Sequence, residues 1–345
     1  MTQKIRVAIN GFGRIGRTFF RMTYGHPDIE VVVVNDLGDI NNVAYLLEYD
    51  SSYGRTPYTV SVSDGALCIE ENVIRYTSER EITTLPWGDM GIDIVVEATG
   101  VYTSYEKAKG HLSAGAKRVV ITAPLKHEGK DSALAQTVLV GMNTDALASC
   151  AISSNASCTT NATSPLVAIL DATIGIEKAI LNTVHAYTAS QSLVDGPSKK
   201  DMREGRSASQ NIVPSATGAA IATTLVHTAL LGKFDGIAIR VPVPVGSIVD
   251  FTFLAKRATS VAEVNAILTD ATTKAPWKGV FAVTTAPIVS SDIIGTELAS
   301  VADLSFTRVV DGDLVKVLAW YDNEMGYTST LIQHVLAVAR LRKDS

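Results

Sequence analysis

The first half of the chain alternates short apolar runs with segments of helical periodicity. Four runs rich in β-branched residues predict strands, at Lys4–Asn10, Glu30–Asn35, Asp93–Ala98 and Arg118–Thr122. Their near-continuous apolar character is typical of parallel strands that are buried on both faces. A helical pattern begins at Gly16–Tyr24, between the first two runs. Strands separated by helices predict βαβ units and a doubly wound, mostly parallel sheet, which is an α/β architecture.

The second half has strand patterns with fewer helices between them. Its predicted strands lie at Lys178–His185, Ile237–Val243, Ser247–Ala255 and Arg308–Tyr321. Within the last of these, Asp311-Gly312 separates two apolar runs, which is a strong β-hairpin signal. We therefore expect an α+β domain with a mixed or antiparallel sheet over residues 158–322. Residues 1–157 would form the first domain, and a C-terminal helix within residues 323–345 would return to it.

Composition fits two globular domains. The 345 residues are 46% hydrophobic and 19% charged, which is enough apolar material for two buried cores. Thirty basic and 35 acidic residues give a net charge of −5, which argues against a dedicated nucleic-acid binder. Two uncharged stretches, Ala146–Leu170 and Ser207–Gly232, are too polar for membrane spans, so we expect both to be buried in a protein without a membrane segment.

The cysteines bear on the compartment. There are three, an odd number and far too few for a disulfide scaffold, so we expect a reducing compartment. A glycine motif follows the N-terminus too closely to leave room for a signal peptide. Together these observations predict a cytoplasmic protein.

A dinucleotide-binding pattern follows the first predicted strand. Gly11, Gly13 and Gly16 form G-x-G-x-x-G where a strand gives way to a helix, and the glycines permit a tight turn against a pyrophosphate at the helix N-terminus. Asp36 ends the next strand, where a carboxylate accepts hydrogen bonds from the ribose hydroxyls and repels a 2′-phosphate. The pattern predicts a Rossmann domain that binds NAD in preference to NADP. Thr99-Gly100, after another strand, is either a further contact or an ordinary loop.

Cys158 lies in a run of Ser, Thr and Asn within the first uncharged stretch. A free cysteine is ordinarily an inert, buried small side chain, and we keep that interpretation for Cys68 and Cys150. A polar setting at a helix N-terminus instead lowers a thiol pKa, so we expect Cys158 to be a reactive nucleophile.

A nucleophilic cysteine needs a base, and His185 is the candidate. It ends an apolar strand, and a crossover helix at Ser164–Ile174 would bring that strand back beside Cys158. The remaining histidines lie in helix or loop patterns, where we expect surface or hydrogen-bonded roles. They are His26, His111, His127, His227 and His334.

Seven motifs, in order and over nearly the whole chain, resemble the phosphorylating glyceraldehyde-3-phosphate dehydrogenase family. They are INGFGRIGR (Ile9–Arg17), SNASCTTN (Ser154–Asn161), HAYTASQ (His185–Gln191), DGPSKKD (Asp195–Asp201), ATGAA (Ala216–Ala220), RVPVP (Arg240–Pro244) and WYDNEMGY (Trp320–Tyr327). The resemblance implies that Cys158 attacks the aldehyde of glyceraldehyde 3-phosphate while His185 takes a proton. Hydride would pass to NAD, and inorganic phosphate would cleave the resulting thioester to release 1,3-bisphosphoglycerate. No metal is implied.

The resemblance also implies binding residues. Thr188 and Arg240 would hold the substrate phosphate, and Arg203 or Arg206 would line the same region. The attacking phosphate would contact Ser157, Thr159, Thr217 and Gly218. Cofactor contacts would include Arg14, Ile15, Arg80, Thr122, Asn323 and Tyr327 besides the glycine loop and Asp36. In this family the segment at Asp195–Gln210 reaches a neighbouring subunit's cofactor, which implies a homotetramer.

The chain departs from the family at three positions. Ala162 replaces a frequent second cysteine, Ile221 replaces a common lysine, and Met325 stands where a tryptophan is expected. None of these changes removes a catalytic group. Four alternatives stay open: an erythrose-4-phosphate or related dehydrogenase, use of NADP in the biosynthetic direction, a thiol hydrolase, and a non-enzymatic binding protein, for instance one that binds RNA through the cofactor groove.

Overall fold

The computed structural model describes residues 4–126, 134–198 and 201–341. The chain divides into two compact units. Unit 1 holds the residues before Ser157 together with those from Leu331 onward, and unit 2 is Ser157–Thr330. The expected first boundary lay one residue later, and the expected return to the first domain began at residue 323, eight residues before the observed one.

Unit 1 is built on parallel strands joined by helices. Its helices before the last one are α1 (Arg14–Thr23), α2 (Ile40–Glu48) and α3 (Tyr105–Ser113). Its strands are β1 (Ile5–Asn10), β2 (Ile29–Asn35), β3 (Tyr49–Asp50), β4 (Gly54–Arg55), β5 (Val60–Ser63), β6 (Ala66–Ile69), β7 (Asn72–Thr77), β8 (Ile94–Glu97), β9 (Arg118–Ile121), β10 (Ala135–Thr137) and β11 (Ile152–Ser154).

The main sheet of unit 1 has the order β10-β11-β9-β8-β1-β2-β7-β6-β5 among the described residues. All neighbours from β10 to β7 pair in parallel, while β5 and β6 add an antiparallel edge. From β1 the chain first builds outward through β2 and then returns to build β8 on the other side. The order therefore reverses between β1 and β8, and such a switch point is where doubly wound sheets bind ligands. The predicted doubly wound fold is confirmed.

Side chains of the central strand point alternately to the two faces of this sheet. Val7 and Ile9 of β1 pack with apolar residues of α1 and with Leu331 and Val335, whereas Ala8 packs on the opposite face in a cluster that contains Trp87. This alternation follows from the two-residue period of a strand. Both faces are covered, which explains the near-continuous apolar runs of the sequence.

Unit 2 contains a mixed sheet with the order β13-β14-β12-β15-β18-β17-β16 among the described residues. The pairs β12/β14 and β16/β17 are parallel and the others antiparallel, so the expected mixed sheet is confirmed. The strands are β12 (Ile176–Ala186), β13 (Val213–Ala216), β14 (Phe234–Val241), β15 (Ser247–Ala255), β16 (Phe281–Thr284), β17 (Ser300–Val310) and β18 (Leu314–Tyr321). The helices are α4 (Cys158–Asp171), α5 (Ala219–Val226) and α6 (Val261–Ala271), and α7 (Met325–Arg340) ends the described chain.

The hairpin predicted at Asp311-Gly312 joins β17 to β18. Asp311 has φ 49° and Gly312 has φ 79°, and two successive positive φ angles are what a type I′ turn requires. The local sequence therefore sets the register of this antiparallel pair.

Two expectations about the uncharged stretches need correction. Helix α4 begins at Cys158, as the expected helix N-terminus there requires, and not at Ser164, because Ser157 caps it and the helix continues through Pro165. The stretch Ser207–Gly232 is not buried throughout. Its exposed large apolar side chains are Ile212, Ile221, Leu225 and Leu231.

The histidines other than His185 are mostly engaged in hydrogen bonds. His111 is buried between Glu97 and Trp87, His227 lies 2.6 Å from Asp171, and His334 on α7 is buried 2.8 Å from the Ser153 hydroxyl. The Nδ1 atom of His26 accepts the Asp28 N–H. His127 lies outside the described residues. Of the two other cysteines, Cys150 is buried and Cys68 half-buried.

Burial of His334 makes stability depend on pH. Burial lowers the pKa of His334 from its ordinary value of 6.5 to about 3. Below pH 6.5 the unfolded chain binds a proton at this residue that the folded chain cannot bind, so folding free energy is lost as pH falls, by about 1.4 kcal/mol per pH unit. We expect His334→Gln to flatten the decline in urea midpoint below pH 6.5. The control Gln333→Ala should keep the wild-type slope, and an unchanged slope in His334→Gln would refute this account.

Candidate active site

The nucleophile candidate stands at the start of a helix. The Ser157 hydroxyl accepts the Thr160 N–H at 3.1 Å and caps α4, which makes Cys158 its first residue. Ala156, just before the cap, has φ +55°, a left-handed conformation that costs a non-glycine residue about 1 kcal/mol or more. The backbone at this bend is fixed in part by the bond from Ala156 N–H to Ser154 Oγ, 2.9 Å long. Cys158 is thus presented half-buried at the positive end of α4.

The structure brings Cys158 and His185 together. His185 is the next-to-last residue of β12 and is only 4% exposed. Its Nε2 lies 3.3 Å from Cys158 Sγ. Strand β12 pairs with β14 on one side and with β15 on the other, so its end is held firmly in the sheet. A sulfur and a ring nitrogen at this distance can exchange a proton directly.

Arg240 lies on the far side of the imidazole. It is the direct register partner of His185 across β12 and β14. Its Nη1 is 2.5 Å from His185 Nδ1 and 3.1 Å from the Ala186 carbonyl oxygen, which itself is 2.6 Å from Nδ1. The guanidinium predicted to hold a phosphate is therefore in contact with the candidate base.

Burial changes the expected ionisation of the pair. It raises the pKa of the Cys158 thiol, an effect that the Arg240 charge and the helix N-terminus oppose but do not overcome. Burial, reinforced by the Arg240 charge, lowers the pKa of His185 to about 3. Both shifts favour the neutral thiol and the neutral imidazole. The sequence-based expectation of a lowered thiol pKa is corrected accordingly.

Tyr321, which the sequence analysis did not single out, packs against the Cys158–His185 pair. Its hydroxyl lies 2.9 Å from Thr159 Oγ1 and 2.8 Å from Thr183 Oγ1, and its ring meets His185 edge-on at 5.9 Å between centroids. Burial raises the pKa of the Tyr321 phenol, so it remains a neutral hydrogen-bonding group. Its position in the WYDNEMGY motif is the feature of the sequence that could have identified it.

The other predicted phosphate residues lie on several elements of unit 2. Thr188 Oγ1 is 3.0 Å from Ser190 Oγ, Thr217 Oγ1 accepts the Ala219 N–H at 3.2 Å, and Gly218 precedes α5. The two arginines are mostly exposed and paired to acids, Arg203 with Asp201 at 3.0 Å and Arg206 with Asp195 at 3.1 Å.

Unit 1 contains a cleft of about 320 Å³ at the switch point of its sheet. Asp36 is one of its walls: Oδ2 accepts the Phe12 N–H at 2.7 Å and Oδ1 accepts the Gly38 N–H at 2.8 Å. Each carboxylate oxygen retains a second lone pair, which suits it to a ribose diol. The predicted cofactor residues that line the cleft are Gly11, Gly13, Asp36, Arg80 and Thr99.

The glycine loop is as tight as the predicted motif requires. Gly11 has φ +92°, and a Cβ there would lie 2.6 Å from Thr99 N, while a Cβ on Gly16 would lie 2.2 Å from the Gly11 carbonyl oxygen. Neither position admits a larger residue without backbone movement. The loop can therefore approach a pyrophosphate closely.

Five predicted cofactor residues of unit 1 are not among those that line the cleft. Arg14 forms an ion pair with Asp50 and lies over the Tyr53 ring, and Ile15 packs against the core. The backbone N–H of Thr122 donates to Glu97 O at 3.0 Å. The remaining two are Gly16 and Gly100. In unit 2, Asn323 Oδ1 accepts from Gly246 N–H and from the Ser247 hydroxyl, each at 3.1 Å, and Tyr327 is buried.

A buried polar network lies at the strand ends beside the cleft and was missed from sequence. Glu97, the last residue of β8, accepts from Asn10 Nδ2 at 2.6 Å, from Thr99 N–H at 2.9 Å and from His111 Nε2 at 2.9 Å. Asn35 Nδ2 in turn donates to Asn10 Oδ1 at 2.7 Å. The feature of the sequence that could have predicted this network is the polar residue that ends each of three buried strands.

The described residues contain neither a helix long and apolar enough to cross a membrane nor a cluster of three metal-ligating side chains.

Comparisons with known proteins show what the chain is similar to. A family model described as the NAD binding domain of glyceraldehyde 3-phosphate dehydrogenase matches residues 5–105, and the model of its C-terminal domain matches residues 157–323. A glyceraldehyde-3-phosphate dehydrogenase 1 of Streptomyces avermitilis is 47% identical, with 97% of this chain and 98% of the relative covered. A glyceraldehyde-3-phosphate dehydrogenase of Mycobacterium avium is 46% identical over 97% of this chain and 99% of its own length. One from Streptomyces coelicolor is 45% identical over 95% and 96%.

The chain belongs to the glyceraldehyde-3-phosphate dehydrogenase family. The resemblance drawn from the seven motifs is thereby confirmed, as is the pairing of a Rossmann domain with a C-terminal domain that carries the mixed sheet. NAD as the cofactor is confirmed by the N-terminal family model. The cleft fits it, because the glycines leave room for the pyrophosphate and Asp36 presents acceptors to the ribose.

Removal of the thiol separates chemistry from binding. We expect Cys158→Ser to lower NADH formation at least about 10³-fold, because a serine hydroxyl beside a neutral imidazole is a far weaker nucleophile. NAD affinity, measured by fluorescence titration, should be unchanged because the cleft lies in unit 1. The matched control is Cys68→Ser, which should keep full activity; equal losses in both variants would contradict the assignment.

Asp36 should decide between the two nicotinamide cofactors. We expect Asp36→Gly to raise the ratio of NADP to NAD use, compared as kcat/KM, by about one to two orders of magnitude, since a charge-assisted hydrogen bond is worth about 1.5–3 kcal/mol. Asp36→Asn, which retains an acceptor for the Phe12 or Gly38 N–H, controls for collapse of the loop. An unchanged ratio in both variants would show that Asp36 is not the discriminator.

Proposed function

We propose that the chain catalyses the NAD-dependent oxidation of D-glyceraldehyde 3-phosphate with inorganic phosphate to 1,3-bisphosphoglycerate. The observation that carries the proposal is the 3.3 Å contact between Cys158 Sγ and His185 Nε2 at the N-terminus of α4, with Arg240 on the other side of the ring. This arrangement supplies a nucleophile, a base and a phosphate-binding cation within one site. The three relatives described above are each named a glyceraldehyde-3-phosphate dehydrogenase.

The proposed reaction has two stages at Cys158. In the first, Sγ forms a bond to the aldehyde carbon and its proton passes to His185 Nε2. The backbone N–H of Cys158 and the protonated ring stabilise the oxyanion. When bound, NAD supplies the hydride acceptor that turns the thiohemiacetal into a thioester. In the second stage a phosphate oxygen attacks the thioester carbon, the C–S bond breaks, and Sγ leaves as the thiolate.

Two phosphate positions serve these stages. Thr188 and Arg240 would hold the phosphate of the substrate. The attacking phosphate would contact Ser157, Thr159, Thr217 and Gly218. Ser157 and Thr159 flank the nucleophile in sequence, which supports their assignment, although the Thr159 hydroxyl already lies within bonding distance of Tyr321. Arg203 or Arg206 would line the same region as Thr188 and Arg240.

We also propose that the protein works as a homotetramer. Two surfaces of unit 2 support this assembly. Its sheet leaves Ile180 and Ile237 more than half exposed, and a groove of about 650 Å³ is lined by Ile180, Leu231 and Leu314 among others. Exposed apolar residues also lie in the segment after β12, namely Leu193, Val194 and Met202. Exposed large apolar side chains in such numbers are typical of subunit contacts. The three cysteines are unpaired, which supports a cytoplasmic location.

The decisive experiment follows NADH formation from glyceraldehyde 3-phosphate with and without inorganic phosphate. Because the thioester must be cleaved by phosphate for the enzyme to turn over, we expect sustained NADH formation only when phosphate is present. Equal turnover without phosphate would mean that water cleaves the thioester and that the enzyme is non-phosphorylating. Activity with erythrose 4-phosphate alone would favour the alternative dehydrogenase, and no NADH from either aldehyde would favour a binding protein.

A further inference from the structure

A buried serine lies where three neighbouring strands of the unit 2 sheet end. Strand β15 lies between β12 and β18, and its first residue, Ser247, is 1% exposed and stands opposite Tyr321 in the register of β15 and β18. Ala186, which follows His185, ends β12, and Asn323 lies two residues beyond the end of β18. Ser247 is thereby placed between the strand of the candidate base and a predicted cofactor residue.

The Ser247 hydroxyl connects these two neighbours in one direction. The Ala186 N–H donates to Ser247 Oγ at 3.1 Å, and Oγ in turn donates to Asn323 Oδ1 at 3.1 Å. A backbone N–H can only donate, so the Ser247 oxygen must accept from Ala186, and its own hydrogen remains for Asn323. One hydroxyl thus satisfies the backbone beside the candidate base and binds the oxygen of the Asn323 amide.

The orientation of the Asn323 amide follows from its two donors. Oδ1 also accepts the Gly246 N–H at 3.1 Å, so the atom that faces Gly246 must be the oxygen and not the nitrogen. The donors from Gly246 and Ser247 together fill both lone pairs of Oδ1. Nδ2 has no partner among the described residues and is not enclosed, so a ligand can reach it. The amide can therefore offer a ligand only N–H donors.

Donors of this kind suit the nicotinamide of the cofactor. That ring carries a carboxamide, whose carbonyl oxygen accepts a hydrogen bond from an amide N–H. Hydride transfer from a thiohemiacetal on Cys158 requires the nicotinamide to lie beside the Cys158–His185 pair. The Asn323 amide is joined to the backbone that follows His185 through the single hydroxyl of Ser247. The placement of the nicotinamide and that of the base therefore depend on the same side chain.

We propose that Ser247 is a positioning residue, which holds Asn323 with Nδ2 toward the nicotinamide carboxamide and ties that amide to the backbone after His185. The inference rests on the proposed function, because it takes Asn323 as the residue that receives the nicotinamide. Without the hydroxyl, Oδ1 keeps one donor, from Gly246, and the buried N–H of Ala186 has lost its acceptor. The amide is then free to rotate, and the nicotinamide is held less tightly.

The test compares the binding of NAD with that of ADP-ribose, which is the same cofactor without its nicotinamide. Dissociation constants of both ligands are measured by isothermal titration calorimetry for the full-length protein and for Ser247→Ala. The readout is the ADP-ribose constant divided by the NAD constant, because this ratio measures what the nicotinamide adds to binding. General damage to the fold would weaken both ligands together and leave the ratio unchanged.

We expect Ser247→Ala to lower that ratio by about threefold to tenfold, the effect of one net hydrogen bond, with the ADP-ribose constant unchanged. The matched control is Ser300→Ala, since Ser300 on β17 is equally buried and its Oγ has no partner among the described residues. The control should keep the wild-type ratio. An unchanged ratio in Ser247→Ala, or an equal fall in the control, would overturn the proposal.

A double-mutant cycle shows whether Ser247 acts through Asn323. In Asn323→Ala the ratio should fall at least as far, and adding Ser247→Ala to that variant should cause no additional fall. A full additional fall would mean that Ser247 acts by another route, and a wild-type ratio in Asn323→Ala would mean that Asn323 does not receive the nicotinamide; either result overturns the proposal. Failure to form NADH from glyceraldehyde 3-phosphate would count against the proposed reaction alone, because these titrations contain no aldehyde.

Discussion

The contact between Cys158 Sγ and His185 Nε2 is the interaction on which the proposed chemistry of unit 2 depends. At 3.3 Å it allows a proton to pass without an intervening water. Each residue is positioned by secondary structure. Ser157 caps α4, so the cysteine is the first residue of the helix, and β12, which is paired on both edges, carries the histidine as its next-to-last residue. The left-handed turn at Ala156 joins the chain to this helix. The helix cap and the strand pairing therefore position the Cys158–His185 pair.

Much of this arrangement was predictable from sequence because local and global requirements coincide. The apolar runs of β1, β2 and β8 belong to strands buried on both faces, and Ser247–Ala255 was predicted with its observed bounds because its alternation matches a half-buried strand. Asp311-Gly312 fixed the hairpin by the φ angles it tolerates. The glycine spacing was predictive because only glycine fits the close backbone contacts of this loop. Asp36 was recognisable because a carboxylate at the end of the second strand accepts hydrogen bonds.

What the sequence did not disclose depends on contacts between distant residues. The crossover helix at Ser164–Ile174 was not joined to the helix N-terminus expected at Cys158, because the capping role of Ser157 was not recognised. The Tyr321 hydroxyl meets Thr159 and Thr183 only after two strands and a helix have come together. The thiol pKa moved opposite to expectation because burial is a property of the folded site. Likewise, no periodicity predicts that the register of β12 and β14 sets Arg240 beside His185.

The polar residues at the strand ends of unit 1 have a consequence for how this domain tolerates change. Asn10, Asn35 and Glu97 terminate three adjacent strands and share hydrogen bonds in one buried chain, which ends at His111 and the Trp87 indole. Replacing one member leaves its neighbour's donor or acceptor without a partner. A second replacement at that neighbour therefore destabilises the domain by less than it would alone. Energies of paired substitutions here would be non-additive. The effect of a substitution at one of these strand ends therefore depends on which residues stand at the other two.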